Sequence, residues 1–385
     1  MSITSVQRFE ELHKWVAGLR EPLAREYEFF VEAQKGLERV ITGYYGSELV
    51  KYVHGVSICG TKNNPRLCAY VSNEGDLAYE AELVTSVTGL SIDEVNIIPT
   101  KAFGTLLATP QQVTCGWRNN KYRPVPVGCG VMGRNSDCSY LYGVPAGCSL
   151  GFLGADRYGN VVVVSANHCL AGTVCGGGPG YYVVQPDDIC GGNCPGDVIA
   201  QGVVTKDYGS GVWPIDAAYA TATVPVQYAY LSDQKAIPFP GPTSAVSPSL
   251  GMQFTKYGRG IYTYSTRSGT ISGINGTIQV YCSGIGSGSH TFYPVFTYGD
   301  TISPGDSGSG AYESSTFAPV GLNFAGNMIM GASIYATEIE KELGITLLTA
   351  PPPAISPSTL TMLAVGAAAV LAGVGVALAA PPPGS

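Results

Sequence analysis

Three short motifs carry the residues whose types and order suit nucleophilic chemistry. Gly305-Asp306-Ser307-Gly308 sets a serine hydroxyl beside backbone amides able to hold an oxyanion. Ser165-Ala166-Asn167-His168-Cys169 ends the apolar run Val161 to Val164 with an imidazole, and Ile215-Asp216-Ala217-Ala218 lies between the two. A serine hydroxyl is a weak nucleophile near neutral pH and needs a base within hydrogen-bond reach, a task that suits imidazole. On this reading His168 takes the proton of Ser307 and later hands it to the leaving group, while Asp216 accepts from the other ring nitrogen and steadies the imidazolium. The backbone N–H groups of Gly305 and Ser307 then face the oxyanion. Each motif alone has a plainer reading: a histidine after an apolar strand is commonly a packed residue, and Gly, Asp and Ser are turn formers. Asp187, Asp188, Asp197 and Asp207 also fall between His168 and Ser307, in Gly- and Pro-rich sequence. Asp216 instead precedes a small apolar run that predicts a buried strand, where a carboxylate demands a partner.

The order His, Asp, Ser is that of chymotrypsin-type proteases, and the three motifs resemble the trypsin-like pattern A-H-C, D-I-A and G-D-S-G. The chain is most similar to microbial trypsin-like peptidases that carry an extra N-terminal domain. Pro145-Ala146-Gly147-Cys148-Ser149-Leu150-Gly151-Phe152, the turn Asp156 to Asn160 and the strand into His168 follow that group, as do Gln185-Pro186-Asp187 and Asp216 to Ala220. The resemblance covers roughly residues 48–345 and implies a chymotrypsin-like double six-stranded β-barrel that cuts polypeptides through an acyl-enzyme. It implies a disulfide between Cys148 and Cys169, bracing the strand that presents His168. It puts Thr301 at the base of the primary pocket, with Asp300 one step away, so that an uncharged or apolar pocket is expected rather than a trypsin-like one. The stretch Val320 to Gly326 resembles the V-G-I-x-S-W-G wall strand, and backbone at Phe324 and Gly326 is expected to pair with extended substrate. Two positions depart from the pattern: Ser309 stands for the second glycine of G-D-S-G-G, and Gly258-Arg259-Gly260 replaces G-R-T-T-G.

The elements that must position these residues are mainly β. Only 13% of the 385 residues are charged, against about 25% in an average protein, and the high counts of 51 Gly and 24 Tyr fit many short strands joined by tight turns. A net charge of −7 and a pI near 5.2 give no basic footprint for nucleic acid. The proposed chemistry calls for no cofactor and no metal.

Along the chain, residues 1–40 read as an amphipathic helical segment, with Phe9, Leu12, Trp15, Val16 and Leu19 among dense charges and a break near Pro22. This face suits either packing on the next domain or docking to a partner or membrane surface. Residues 41–110 alternate short apolar runs with turns and match the small α/β accessory or pro-domain of the resembling peptidases, whose removal by self-cleavage the sequence leaves open. A linker at 111–123 leads to the protease domain at 124–348. A Pro-rich linker at 349–358 precedes residues 359–380, a run of 22 residues without a charge, long enough to span about 30 Å of hydrocarbon as a transmembrane helix; residues 381–385 form a tail. No secretory signal is apparent, and Asn275-Gly276-Thr277 forms a glycosylation sequon of little weight.

Eleven cysteines, an odd number, leave at least one outside any intramolecular pair. Cys59 and Cys68 suit a small hairpin, while Cys175, Cys190 and Cys194 cluster too closely to assign. Four thiols at Cys169, Cys175, Cys190 and Cys194 suffice in number for zinc, but their spacing is unlike a paired C-x-x-C ribbon, and disulfides are expected. Disulfides imply an oxidising location, or an intracellular protein of a hyperthermophile, where they also persist. A membrane-anchored protease facing the cell exterior, or on a viral envelope, is therefore the expectation, with a cytosolic tail-anchored form as the second. Two rival functions are a catalytically silent binding module on a protease fold and a protease that cuts only itself.

Overall fold

The computed structural model describes residues 53–61, 64–71, 90–99, 105–106, 115–209, 211–260, 267–282, 289–300, 302–327 and 329–351, with a few single positions between 77 and 88. The expected helical segment at 1–40, the span at 359–380, most of its Pro-rich linker and Thr301 lie outside these residues. Among the described residues no helix is long and apolar enough to cross a membrane.

The described residues are mainly β, with α-helices that include Asn167–Leu170 and Ala336–Leu343. Val161–Ser165, four valines and a serine, is buried over most of its length, as expected of a β-branched run with both faces covered. It lies inside an eight-stranded sheet, flanked by Phe152–Asp156 and Ala218–Ala222. That sheet continues through Val198–Val204, Tyr182–Val184 and Gly130–Arg134 to Cys148–Ser149, and Ile345–Leu348 forms its other edge.

The second half of the chain closes on itself. The strands Ser289–Tyr298, Gly331–Tyr335, Pro319–Gly326, Gly310–Glu313, Gln253–Tyr257 and Arg267–Tyr281 pair in that order, and Arg267–Tyr281 pairs back to Ser289–Tyr298, giving a six-stranded ring. Closure needs a strand that bends. The 15-residue strand Arg267–Tyr281 shifts register three times against Ser289–Tyr298, at a stretch containing Gly273, Gly276 and the positive-φ residue Asn275. Bulges of this kind increase local twist and turn a barrel corner.

Val53–Thr61 adds to the outer edge of the same long strand, with Gly55 opposite Ile278 and Ile58 opposite Ile274. Asn64–Val71 follows as an antiparallel partner and Val95–Pro99 as a parallel one. The segment before the linker is thus hydrogen-bonded into the ring's own sheet. Its apolar residues Val56, Ile58, Leu67 and Ala69 share a core with Phe254, Phe296 and Tyr298. A larger core runs from Val125 through the valines before His168 to Leu347, and Cys59, Cys68 and Tyr70 of the N-terminal segment also belong to it.

Candidate active site

His168 and Asp216 are brought together by strand register. Ser165 stands opposite Ala218 in the antiparallel pair Val161–Ser165 and Ala218–Ala222. His168, on the helical turn just past Ser165, therefore meets Asp216, just ahead of Ala218. The His168 Nδ1 atom lies 2.5 Å from Asp216 Oδ2, and the His168 backbone N–H donates to Oδ1 at 3.0 Å. One carboxylate thus holds both the ring and the backbone of the same residue, which fixes the imidazole plane and directs Nε2 away from the aspartate. His168 Nε2 is buried and has no hydrogen-bond partner among the described residues. Tyr142 adds a third restraint by donating its hydroxyl to the His168 carbonyl at 2.6 Å. Burial and the nearby Asp216 charge push the Tyr142 phenol well up, which keeps it a neutral donor.

Ser307 sits in the turn ahead of Gly310–Glu313 and is fully buried, as are His168 and Asp216. Its hydroxyl donates to the Phe324 carbonyl at 3.4 Å, a weak bond that is readily exchanged. Gly305 and Gly308 both have positive φ, +94° and +80°. A Cβ at Gly308 would also meet Ser165 Oγ at 2.0 Å and Ser149 O at 2.5 Å. Glycine is required here twice over, by backbone conformation and by space. Among the described residues no carbonyl takes the N–H of Gly305 or of Ser307, so both donors remain available to an oxyanion.

The loop is held from behind. The Ser149 amide donates to Ser307 O at 2.8 Å, and the Ser149 hydroxyl donates to Gly305 O at 2.7 Å while accepting from the Arg259 amide at 2.8 Å. The preceding residue, Cys148, is disulfide-bonded to Cys169, the neighbour of His168. Residues 148–149 therefore tie the nucleophile loop to the histidine turn, one link being covalent. Asp306 turns away from the cleft and accepts from the Ser303 amide at 3.1 Å and the Gly260 amide at 3.1 Å. Burial draws the Arg118 guanidinium down to about 10 against the pull of Asp306.

The departures at Ser309 and Gly258-Arg259-Gly260 have structural reasons. Ser309 Oγ accepts from Asn323 Nδ2 at 2.8 Å, and Asn323 Oδ1 accepts from Ser333 at 2.6 Å and from the Tyr298 hydroxyl. The hydroxyl at 309 thus joins a buried polar network under the wall strand. Gly258 is needed because a Cβ there would meet Asp306 Oδ1 at 2.6 Å. Arg259, fully buried, places Nε 2.5 Å from Asp187 Oδ2. A Cβ at Gly305 would lie 2.8 Å from Arg259 Nη1, so this cation lines the back of the nucleophile loop.

The wall strand Pro319–Gly326 is buried throughout. Its register to Gly331–Tyr335 shifts between Asn323 and Ala325, which leaves Phe324 unpaired on that side. A Cβ on Gly326 would meet Ile302 Cγ2 at 2.1 Å, and one on Gly331 would meet the Tyr298 ring, so apolar and aromatic groups pack closely against this end of the wall strand and its neighbour. Asp300 is engaged by Lys256 at 3.2 Å and Arg267 at 3.4 Å. Its charge is thereby compensated.

Five disulfides join Cys59–Cys68, Cys115–Cys190, Cys138–Cys194, Cys148–Cys169 and Cys175–Cys282. Cys169, Cys175, Cys190 and Cys194 thus belong to four different bonds, which removes the zinc alternative. Cys129 is the free thiol, buried and pushed up by that burial. Sequence reasoning did not find Ser149, Arg259, Asn323 or Tyr142 as parts of the site. Only the G-R pair, as a departure from a familiar motif, marked one of them.

No protein-family model matches this chain, and no curated protein does. Among solved structures it is similar to trypsin/chymotrypsin-like serine proteases. A glutamic acid specific serine protease is 17% identical over 58% of this chain and 100% of its own, with a TM-score of 0.40. The Nocardiopsis protease NAPase is 15% identical over 59% of this chain and 99% of its own, at 0.38. Thermobifida fusca Protease A is 15% identical over 60% and 100%, at 0.41. Likeness of this size carries no function across, so the chemistry of the site is argued from its own atoms.

Proposed function

We propose that the protein is a serine endopeptidase of chymotrypsin-like fold, in which Ser307 is the nucleophile, His168 the general base and acid, and Asp216 the residue that orients the imidazole. The observation that carries this is the hold of one buried aspartate on both Nδ1 and the backbone N–H of His168, with Nε2 left without a partner and the N–H groups of Gly305 and Ser307 unclaimed among the described residues.

Ser307 Oγ gives its proton to His168 Nε2 and adds to the carbonyl carbon of the substrate. The oxyanion takes hydrogen bonds from the Gly305 and Ser307 amides, each worth about 3 kcal/mol in such sites. His168 then protonates the leaving amine, and a water molecule activated by the same imidazole hydrolyses the ester. The substrate backbone would lie along Phe324 to Gly326. An uncharged side chain is the expected occupant of the primary pocket, supported by the apolar contacts of Gly326 and by the compensated charge of Asp300. Attachment to a membrane is supported by the uncharged residues 359–380, and an oxidising compartment by the disulfides.

The test is a serine-directed fluorophosphonate probe on the full chain, beside Ser307→Ala. The expected result is labelling at Ser307 that vanishes in the variant. Folded protein that takes no label and hydrolyses no denatured polypeptide would instead favour a binding module on a protease fold.

A further inference from the structure

The nucleophile loop is stapled to the wall strand at both ends. The Gly308 N–H donates to Asn323 O at 2.8 Å, and the Ile302 N–H donates to Asn327 O at 3.2 Å. Four steps of extended chain separate Asn323 from Asn327, which sets the staples about 13 Å apart. Between them the wall offers Phe324, Ala325 and Gly326, and the Phe324 carbonyl faces the Ser307 hydroxyl. Consider a substrate residue whose carbonyl carbon lies at Ser307 Oγ and whose N–H takes the place of that hydroxyl on Phe324 O. Its side chain enters the wedge between loop and wall.

At the Gly326 end of this wedge the sheet carries a row short of side chains. Gly326 stands opposite Gly331, and Gly331 stands opposite Tyr298 on the next strand. Directly opposed residues of antiparallel strands project to one face, so two neighbouring glycines leave a slot over that face. The chain fills the slot with its own groups. A Cβ on Gly326 would lie 2.1 Å from Ile302 Cγ2, and one on Gly331 would lie 2.2 Å from Tyr298 Cζ.

Both fillers are held in place. Ile302 is buried and fixed by its N–H on the wall strand. Tyr298 is fully buried, donates its hydroxyl to Asn323 Oδ1 and packs on Phe254 with ring centroids 4.8 Å apart. Swinging the ring aside would leave a buried hydroxyl without its partner.

Resting on the serine endopeptidase reading above, we propose that Ile302 and Tyr298 make the primary pocket shallow, so that the residue acylating Ser307 is glycine, alanine or serine. Ile302 is the main determinant, because its side chain lies directly over Gly326 on the wall. Tyr298 closes the floor one strand further in. Asp300 imposes no charge on the choice, since Lys256 and Arg267 both engage its carboxylate.

The experiment measures p-nitrophenol release by the full chain from N-acetyl p-nitrophenyl esters of glycine, alanine, leucine and phenylalanine. Ser307→Ala supplies the background, and Ile302→Ala is run alongside. A single-residue ester needs only the Phe324 position and leaves alone the Ala325–Gly326 edge, on which the chain's own Thr105–Leu106 is paired. The parent is expected to favour the alanine ester over the leucine and phenylalanine esters by about tenfold or more in kcat/KM, the scale on which a pocket discriminates methylene groups. Ile302→Ala is expected to shift the leucine-to-alanine ratio toward leucine by about tenfold. A parent that takes the fluorophosphonate label on Ser307 yet turns over leucine or phenylalanine as fast as alanine overturns this proposal and leaves the protease reading standing. That comparison needs no variant, so it decides the matter even where Ile302→Ala does not fold. An Ile302→Ala protein that takes the label and keeps the parental ratio overturns the proposal as well. A folded parent that neither labels nor exceeds the Ser307→Ala background overturns both readings.

Discussion

The Ser149 hydroxyl links the oxyanion loop to Arg259, donating to Gly305 O at 2.7 Å and accepting from the Arg259 amide at 2.8 Å. Both partners are buried backbone groups with few other options, and leaving such groups unpaired costs about 1–3 kcal/mol. Ser149→Ala is expected to lower the melting temperature by several degrees. Loosening Gly305 should also reduce kcat by roughly tenfold or more while leaving KM nearly unchanged, because the oxyanion contact forms in the transition state. Steady-state kinetics on a peptide ester, with a thermal melt, separate these two effects. An unchanged kcat would show that the loop keeps its shape without this strut.

Asp216→Asn tests the histidine's orientation. The carboxylate serves Nδ1 and the backbone N–H of His168 with one oxygen each. An amide of the same shape can offer one oxygen and one NH2, so it can satisfy only one of the two His168 donors and favours the wrong ring tautomer. Loss of the orienting carboxylate in this chemistry costs about 10⁴ in kcat. The expected outcome is a fall of that order with the fold intact, read by the rate of fluorophosphonate labelling beside circular dichroism. Labelling within tenfold of the parent would remove Asp216 from the mechanism.

The contrast between Asp216 and Asp187 shows where the sequence was legible. His168, Asp216 and Ser307 could be found because each sits in a local motif, and the strand before His168 because four valines have few other uses. Asp187 reads as a loop residue in Gly- and Pro-rich sequence, yet it is fully buried against Arg259, 72 positions away. Nothing local encodes that meeting. Cys175, Cys190 and Cys194 could not be paired by spacing because their partners Cys282, Cys115 and Cys138 come from remote strands and loops. The same limit hid the joining of Val53–Thr61 to Arg267–Tyr281, since hydrogen bonds at a sheet edge leave no mark in either strand's pattern. The local pair Cys148 and Cys169, by contrast, followed from resemblance alone and is present.

The Arg259–Asp187 pair supplies the next prediction. Both side chains are fully buried, and Arg259 Nη1 and Nη2 have no hydrogen-bond partner among the described residues. Removing one member of a buried pair strands the other charge and costs about 3–5 kcal/mol, whereas removing both is much less severe. Arg259→Met and Asp187→Asn are each expected to destabilise strongly, with the double variant recovering part of the loss. Urea unfolding of all four proteins closes the cycle. Additive losses would mean that the two groups do not stabilise each other.

Asp188 makes stability depend on pH. Its Oδ1 accepts from Arg134 Nε at 2.7 Å, but Oδ2 is buried without a partner. Burial outweighs the arginine and pushes the carboxyl up to about 7, from about 3.9 in an unfolded chain. Between those values the folded protein holds a proton that the unfolded chain releases, so stability falls as pH rises. The contribution of Asp188 is therefore complete below about pH 4 and is lost by about pH 7. Asp188→Asn keeps an acceptor for Arg134 and cannot ionise, so its urea midpoint should change less over this range than that of the parent, with the variant gaining relative to the parent at pH 8. If the two midpoints run parallel from pH 4 to 8, Arg134 holds Asp188 ionised throughout, and burial is the weaker of the two effects.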